Sequence, residues 1–130
     1  MNAAAQAEDT LEASVATMFD VLSWEMELAG ARCIFLDSVI GEMMKCLPDD
    51  KQAEFLESAH TVDLLSQQLT SLSAFARRMS ATVASDVSAP VNHALGDMTL
   101  GALADRMSTA FGGKDRGINE REDAGDLDLF

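Results

Sequence analysis

The sequence has no tyrosine, a single tryptophan and only two prolines, and aromatic residues make up 5% of its 130 positions. Short alternating runs of β-branched residues are also missing. These absences argue against a β-sandwich or barrel and for helices packed through aliphatic and methionine side chains, of which eight are Met. Basic residues are scarce: 9 Lys and Arg against 22 Asp and Glu give a net charge of −13. A nucleic-acid backbone or an anionic membrane surface would be repelled, so neither is expected as a partner, whereas a protein with a basic face would be attracted. The two cysteines, Cys33 and Cys46, fall on one expected helix. Thirteen residues separate them, roughly 20 Å at about 1.5 Å per residue, so they cannot bridge within it. They read as reduced residues in or near the core of a cytoplasmic protein. The first residues have no basic segment followed by an apolar one, so no secretory signal is expected, and no apolar run approaches the length of a membrane span.

What is present is heptad patterning. Phe19, Leu22, Met26, Ala29, Cys33, Leu36, Ile40, Met43 and Leu47 alternate by threes and fours, and so do Val62, Leu65, Leu69, Leu72, Ala76, Met79 and Val83, with Phe55 in the same register. Each series predicts the seam of a long helix laid on another. The first helix is expected to start near Asp9 or Thr10, either of which can cap it, after a frayed segment 1–8. Pro48 stops it, and Asp49 or Asp50 is expected to cap the second, which runs to about Ser85. The connection is so short that the two helices, together residues 9–86, must be antiparallel neighbours. Gly30 and Gly41 interrupt the first helix and leave room for a close neighbour. Residues 86–96, with Pro90, Asn92 and Gly96, read as a loop. A short third helix is expected over 97–111, with Leu100, Leu103, Met107 and Phe111 on one face, ended by Gly112 and Gly113. Residues 112–130 form a charged, flexible linker that closes on the acidic and apolar peptide Asp126, Leu127, Asp128, Leu129, Phe130. The fold class is therefore all-α. A lone pair of such helices leaves apolar surface wet, and a second copy completing a four-helix bundle is the simplest remedy, so a homodimer is expected.

Groups that carry their own chemistry are scarce. His60 and His93 are far apart and belong to no cluster with metal-ligand spacing, so no metal site is expected. No Gly-rich phosphate loop and no nucleophile with a base at its side is legible. The remaining candidates are Asp63 and Gln67. With Val62 and Leu65 on the seam, both point outward, one above the other, at a spacing of four residues.

Asp63-Leu-Leu-Ser-Gln67 resembles the D-x-x-x-Q motif of the CheZ-type phosphatases of bacterial chemotaxis, including its smaller CheT-type members. Those proteins are long antiparallel hairpins that dimerise into a four-helix bundle, bear the motif on an exposed helical face, and tether the phosphorylated response regulator CheY through an acidic C-terminal peptide. The order of features is the same here: hairpin, motif on the second helix, linker, and the peptide from Asp126 to Phe130. The resemblance implies that Gln67 positions a water for attack on an aspartyl phosphate and that Asp63 pairs with a lysine of the receiver. It also implies that Mg²⁺ comes from the receiver, with no cofactor held by this chain.

Two other readings attach to shorter stretches. His60, in Ser-Ala-His-Thr-Val, is set like the histidine of a phosphotransfer domain, but Asp63 and Leu64 stand where those domains carry Lys and Gly, and a carboxylate one turn away opposes a phosphorylated His. A plain surface histidine is the simpler reading. Asp-Leu-Asp-Leu-Phe130 resembles the Q-L-x-L-F peptide that docks on the bacterial sliding clamp, with Asp in the first position. A non-catalytic helical adaptor acting through this peptide is therefore the alternative function.

Overall fold

The computed structural model describes residues 10–113. In chain order these form β1 (Glu12–Ser14), α1 (Val15–Met44), α2 (Asp49–Thr82), β2 (Ser88–Pro90), α3 (Asn92–Gly96) and α4 (Gly101–Ala110). They divide into two compact units, residues 22–81 and the segments that flank them. No helix among the described residues is long and apolar enough to cross a membrane.

The first unit is the antiparallel helical pair. At the end of α1 the Cys46 and Leu47 amides reach back to the Met43 and Met44 carbonyls at 3.1 and 3.2 Å, tightening the last turn. Pro48 has no amide to continue the helix, and its carbonyl accepts from the Lys51 amide at 3.0 Å. Asp49 and Asp50 lie inside the first turn of α2 and do not precede it as caps. Their charge meets the exposed amides at the positive end of the helix dipole. Gln52 Nε2 adds a bond to the Leu47 carbonyl at 3.2 Å, which pins the turn.

The heptad period is as expected, but the seam lies one stripe over. The residues that α1 turns inward are Ser23, Met26, Gly30, Cys33, Asp37 and Ile40; those of α2 are Ala59, Val62, Ser66, Leu69, Ser73 and Ala76. Met26, Cys33, Ile40, Val62, Leu69 and Ala76 belong to the expected series. Leu22, Leu36, Met43, Leu65 and Leu72 do not join them and stay 41–52% exposed. Small residues explain the rotation. Ser23 Oγ donates to the Ser73 carbonyl at 3.0 Å and Ser73 Oγ to the Ser23 carbonyl at 2.8 Å, so the two backbones approach closely enough for side chain to bond main chain. A Cβ on Gly30 would stand 3.7 Å from Leu69 Cβ and 3.9 Å from the Ser66 carbonyl. Opposed leucines would hold the axes further apart. Gly30 thus serves the close approach expected of it, whereas Gly41 faces open space. Cys33 is half-buried and Cys46 exposed, both as free thiols.

The second unit holds the departures from the sequence expectation. Residues 12–14 are not the start of a helix. They pair antiparallel with residues 88–90, Glu12 opposite Pro90 and Ser14 opposite Ser88, and the Val15 and Val91 amides extend the ladder to the Val87 and Leu11 carbonyls at 2.8 Å each. Pro90 is tolerated because a two-stranded ladder is all edge. Once residues 12–14 give their amides to the ladder, the helix must start later, and Ser14 Oγ accepts the Thr17 amide at 3.0 Å as its cap. The expected loop 86–96 therefore contains β2 and α3, and the expected helix over 97–111 is shorter, Gly101–Ala110. Its buried residues are Ala102, Ala104 and Asp105, while Leu100 is exposed and Leu103, Met107 and Phe111 are half-buried. It ends in a Schellman turn: Gly113 N bonds Ser108 O at 2.7 Å, Gly112 N bonds Thr109 O at 3.0 Å, and Gly112 has φ +90°.

Candidate functional site

Asp63 and Gln67 lie in the middle of α2, and both are exposed. The rotation of the seam by one stripe brings Asp63 to its edge, two heptads before Arg77, and leaves Gln67 further out; both stay exposed. The helix sets them one above the other, and Gln67 Nε2 donates to Asp63 Oδ2 at 2.8 Å. Only the amide nitrogen can face a carboxylate in this way, so the orientation of the Gln67 carboxamide is fixed by its partner. The pair is a short polar bar along the helix: a carboxylate able to accept further donors, and a carboxamide that both donates and accepts.

The flank on which it sits carries a second marker of register. Arg77 Nη2 meets Glu27 Oε2 at 2.9 Å, linking the two helices across this side. Stepping two heptads along α1 from Glu27 and two back along α2 from Arg77 places Gly41 opposite Asp63. Gly41 has no side chain, and nothing lies within 4 Å of the place a Cβ would take. Gly41 therefore adds no side chain to this flank. A sequence reading that values Gly41 only for helix packing misses this; pairing the two helices through the small-residue seam finds it.

His60 is exposed on the same face, one turn before Asp63. With Ala53, Leu56, Glu57 and Ala59 it lines a shallow, largely apolar depression. His60 thus borders the pair as a surface residue. Among the described residues no three His, Cys, Asp or Glu side chains come together in a way that could hold a metal ion. The expected partner peptide, Asp126 to Phe130, lies outside the described residues.

Asp105 is the polar residue of α4 that sequence reasoning did not single out: it is 3% exposed and engaged with a partner. Its place amid Ala102 and Ala104 on a buried face makes it a packing element of its own unit, and no apolar periodicity in the sequence would have pointed to it.

No curated protein and no solved structure matches the chain. A family model does: residues 11–130 match the domain of unknown function DUF8776, and the chain belongs to that family.

Proposed function

We propose that the Asp63–Gln67 face acts on the aspartyl phosphate of a CheY-type response regulator and accelerates its hydrolysis. The observation that carries this reading is the exposed pair itself: the D-x-x-x-Q spacing, joined by a 2.8 Å hydrogen bond, on a flank to which Gly41 adds no side chain.

The chemistry asks little of this chain. Water attacks phosphorus in line, the new P–O bond forms as the bond to the aspartyl oxygen breaks, and inorganic phosphate leaves with the receiver carboxylate restored. The proton lost by the water goes to the phosphate. The receiver's own Mg²⁺ offsets the charge on the phosphoryl oxygens. Gln67 contributes position: its carboxamide accepts a hydrogen from the attacking water and holds it on the line of attack, which requires no titration of its own. Asp63 contributes the dock. A receiver lysine takes its carboxylate in a charge-assisted bond and, in doing so, competes for the oxygen that Gln67 holds, so docking frees the glutamine to extend. The C-terminal peptide Asp126–Phe130 acts as a tether that raises the local concentration of receiver.

The test is the decay of a phosphorylated CheY-type receiver with Mg²⁺ in the presence and absence of the protein. Faster decay that is lost in Gln67→Ala is the expected result. Unchanged decay with every receiver of the same cell would overturn the reading, and binding of a 120–130 peptide to the sliding clamp would then support an adaptor.

A further inference from the structure

The Asp63–Gln67 pair is the polar end of a longer stripe. Ala53, Leu56, His60, Asp63 and Gln67 alternate by threes and fours along α2, so one face of the helix carries all five, and all five are exposed. Leu56 is 61% exposed and, with Ala53, Glu57, Ala59 and His60, lines the shallow apolar depression. On α1, Ile34 lies seven residues from Gly41 on the same flank and is 62% exposed. Asp63 therefore stands between two apolar side chains. Leu56 is seven residues away on its own helix, about 10 Å at 1.5 Å per residue, and Ile34 is on the neighbouring helix. Neither belongs to the small-residue seam.

We infer that this stripe is a docking face for a protein surface that presents a basic side chain to Asp63 and, about 10 Å away, an apolar side chain to Leu56 and the depression around it. The inference rests on the phosphoryl reading of Asp63 and Gln67 and names what the receiver must offer there: Leu56 and Ile34 set specificity, and Gln67 the chemistry. Charge selects the occupant. Over residues 49–63 the exposed carboxylates of Asp49, Asp50, Glu54, Glu57 and Asp63 stand against the single Lys51. Two copies of this surface would repel one another, and so would an anionic membrane, whereas a basic protein surface is attracted. A contact through Asp63 alone, exposed and screened, would hold a partner weakly. Apolar side chains on either side of the carboxylate exclude water from the charge pair and strengthen it, as the water-excluding border of an interface does for its central anchor.

Leu56→Ala and Ile34→Ala in the full chain should each raise KM for the phosphorylated receiver about fivefold with kcat unchanged, and Leu56→Met should restore it. Because the lost contact is apolar, KM should keep its wild-type sensitivity to salt, unlike that of Asp63→Ala. Leu64, 50% exposed on the same helix but off the stripe, is the control, and Leu64→Ala should change neither constant. The helical circular dichroism of all these variants should match wild type, since none of the side chains is buried. A photoreactive phenylalanine analogue in place of Leu56 should cross-link to the receiver loaded with Mg²⁺ and beryllofluoride, a phosphoryl mimic, in a Gln67→Ala background as well. That cross-link without faster decay would support the docking face and overturn the catalytic reading. An active wild type whose KM is unmoved in both alanine variants, or a cross-link from position 56 to a second copy alone, would overturn the docking face and spare the catalytic reading. Neither faster decay nor a cross-link with any receiver of the cell would overturn both.

Discussion

Ser23 and Ser73, fifty residues apart in sequence, each donate a hydroxyl to the other's backbone carbonyl, at 3.0 and 2.8 Å, and their oxygens stand 3.0 Å from one another. Both are buried, at 2% and 4% exposure. This clasp holds α1 and α2 at a separation that leucine cannot share. Ser23→Ala or Ser73→Ala should each cost about 1 kcal/mol, the net worth of one neutral hydrogen bond, without leaving a polar group stranded. Ser73→Leu should cost more, about 1–3 kcal/mol, by forcing the helices apart. Urea unfolding of the variants measures both, and equal effects of alanine and leucine would mean that the approach of the helices is not tight.

Gly30 and Gly41 separate two roles that look alike in sequence. Alanine at 30 meets Leu69 Cβ and Thr70 Oγ1 at ordinary contact distance, 3.7 and 3.8 Å, and alanine at 41 meets nothing. Both substitutions should therefore be neutral or stabilising, by up to about 1 kcal/mol of helix propensity. Leucine splits them. Gly30→Leu should destabilise strongly, whereas Gly41→Leu should leave the thermal midpoint near that of wild type and, by adding a side chain to the flank that carries Asp63, lower receiver-dependent activity.

These two glycines also show how far the sequence could be read. The heptad period identifies two long antiparallel helices without ambiguity, but two adjacent stripes satisfy it, and they share Met26, Cys33, Ile40, Val62, Leu69 and Ala76. Hydrophobicity alone prefers the stripe of Leu22, Leu36, Leu65 and Leu72; close approach prefers that of Ser23, Gly30, Ser66 and Ser73. Local pattern cannot weigh a main-chain contact made fifty residues away. The ladder between residues 12–14 and 88–90 was hidden for the same reason, since Glu-Ala-Ser and Ser-Ala-Pro carry no strand propensity and pair only because the fold brings them together. Asp63 and Gln67 were legible as an exposed pair because neither stripe buries them. The place of Gly41 opposite Asp63 was not, because it follows from the register of Glu27 with Arg77.

The end of α4 depends on Gly112 and Gly113 in different ways. Gly112 has φ +90°, a conformation that an L side chain resists, so Gly112→Ala should cost about 1 kcal/mol. Gly113 has ordinary backbone geometry but no room: a Cβ would crowd Ser108 and come within 3.1 Å of Leu11 Cδ2. Gly113→Ala should loosen α4 and its contact with the residues before β1, seen as faster amide exchange at 108–113. Asn at 112 should restore part of the loss, since Asn tolerates the left-handed region, whereas Asn at 113 should not.

Asp63 and Gln67 should fail in distinguishable ways. If Gln67 positions water, Gln67→Ala lowers kcat for phospho-receiver hydrolysis by at least tenfold and leaves KM nearly unchanged, because the group acts only in the transition state. If Asp63 is the dock, Asp63→Ala raises KM several-fold and makes the remaining activity less sensitive to salt, as expected when one exposed charge pair is lost. Asp63→Asn is the sharper variant. It keeps a hydrogen-bond acceptor for the Gln67 amide, which now sits at 2.8 Å from Oδ2, yet removes the charge that a receiver lysine would meet. A KM like that of Asp63→Ala with wild-type kcat would assign Asp63 to docking. A loss confined to kcat would instead mean that the carboxylate acts through Gln67, and the pair would work as one unit.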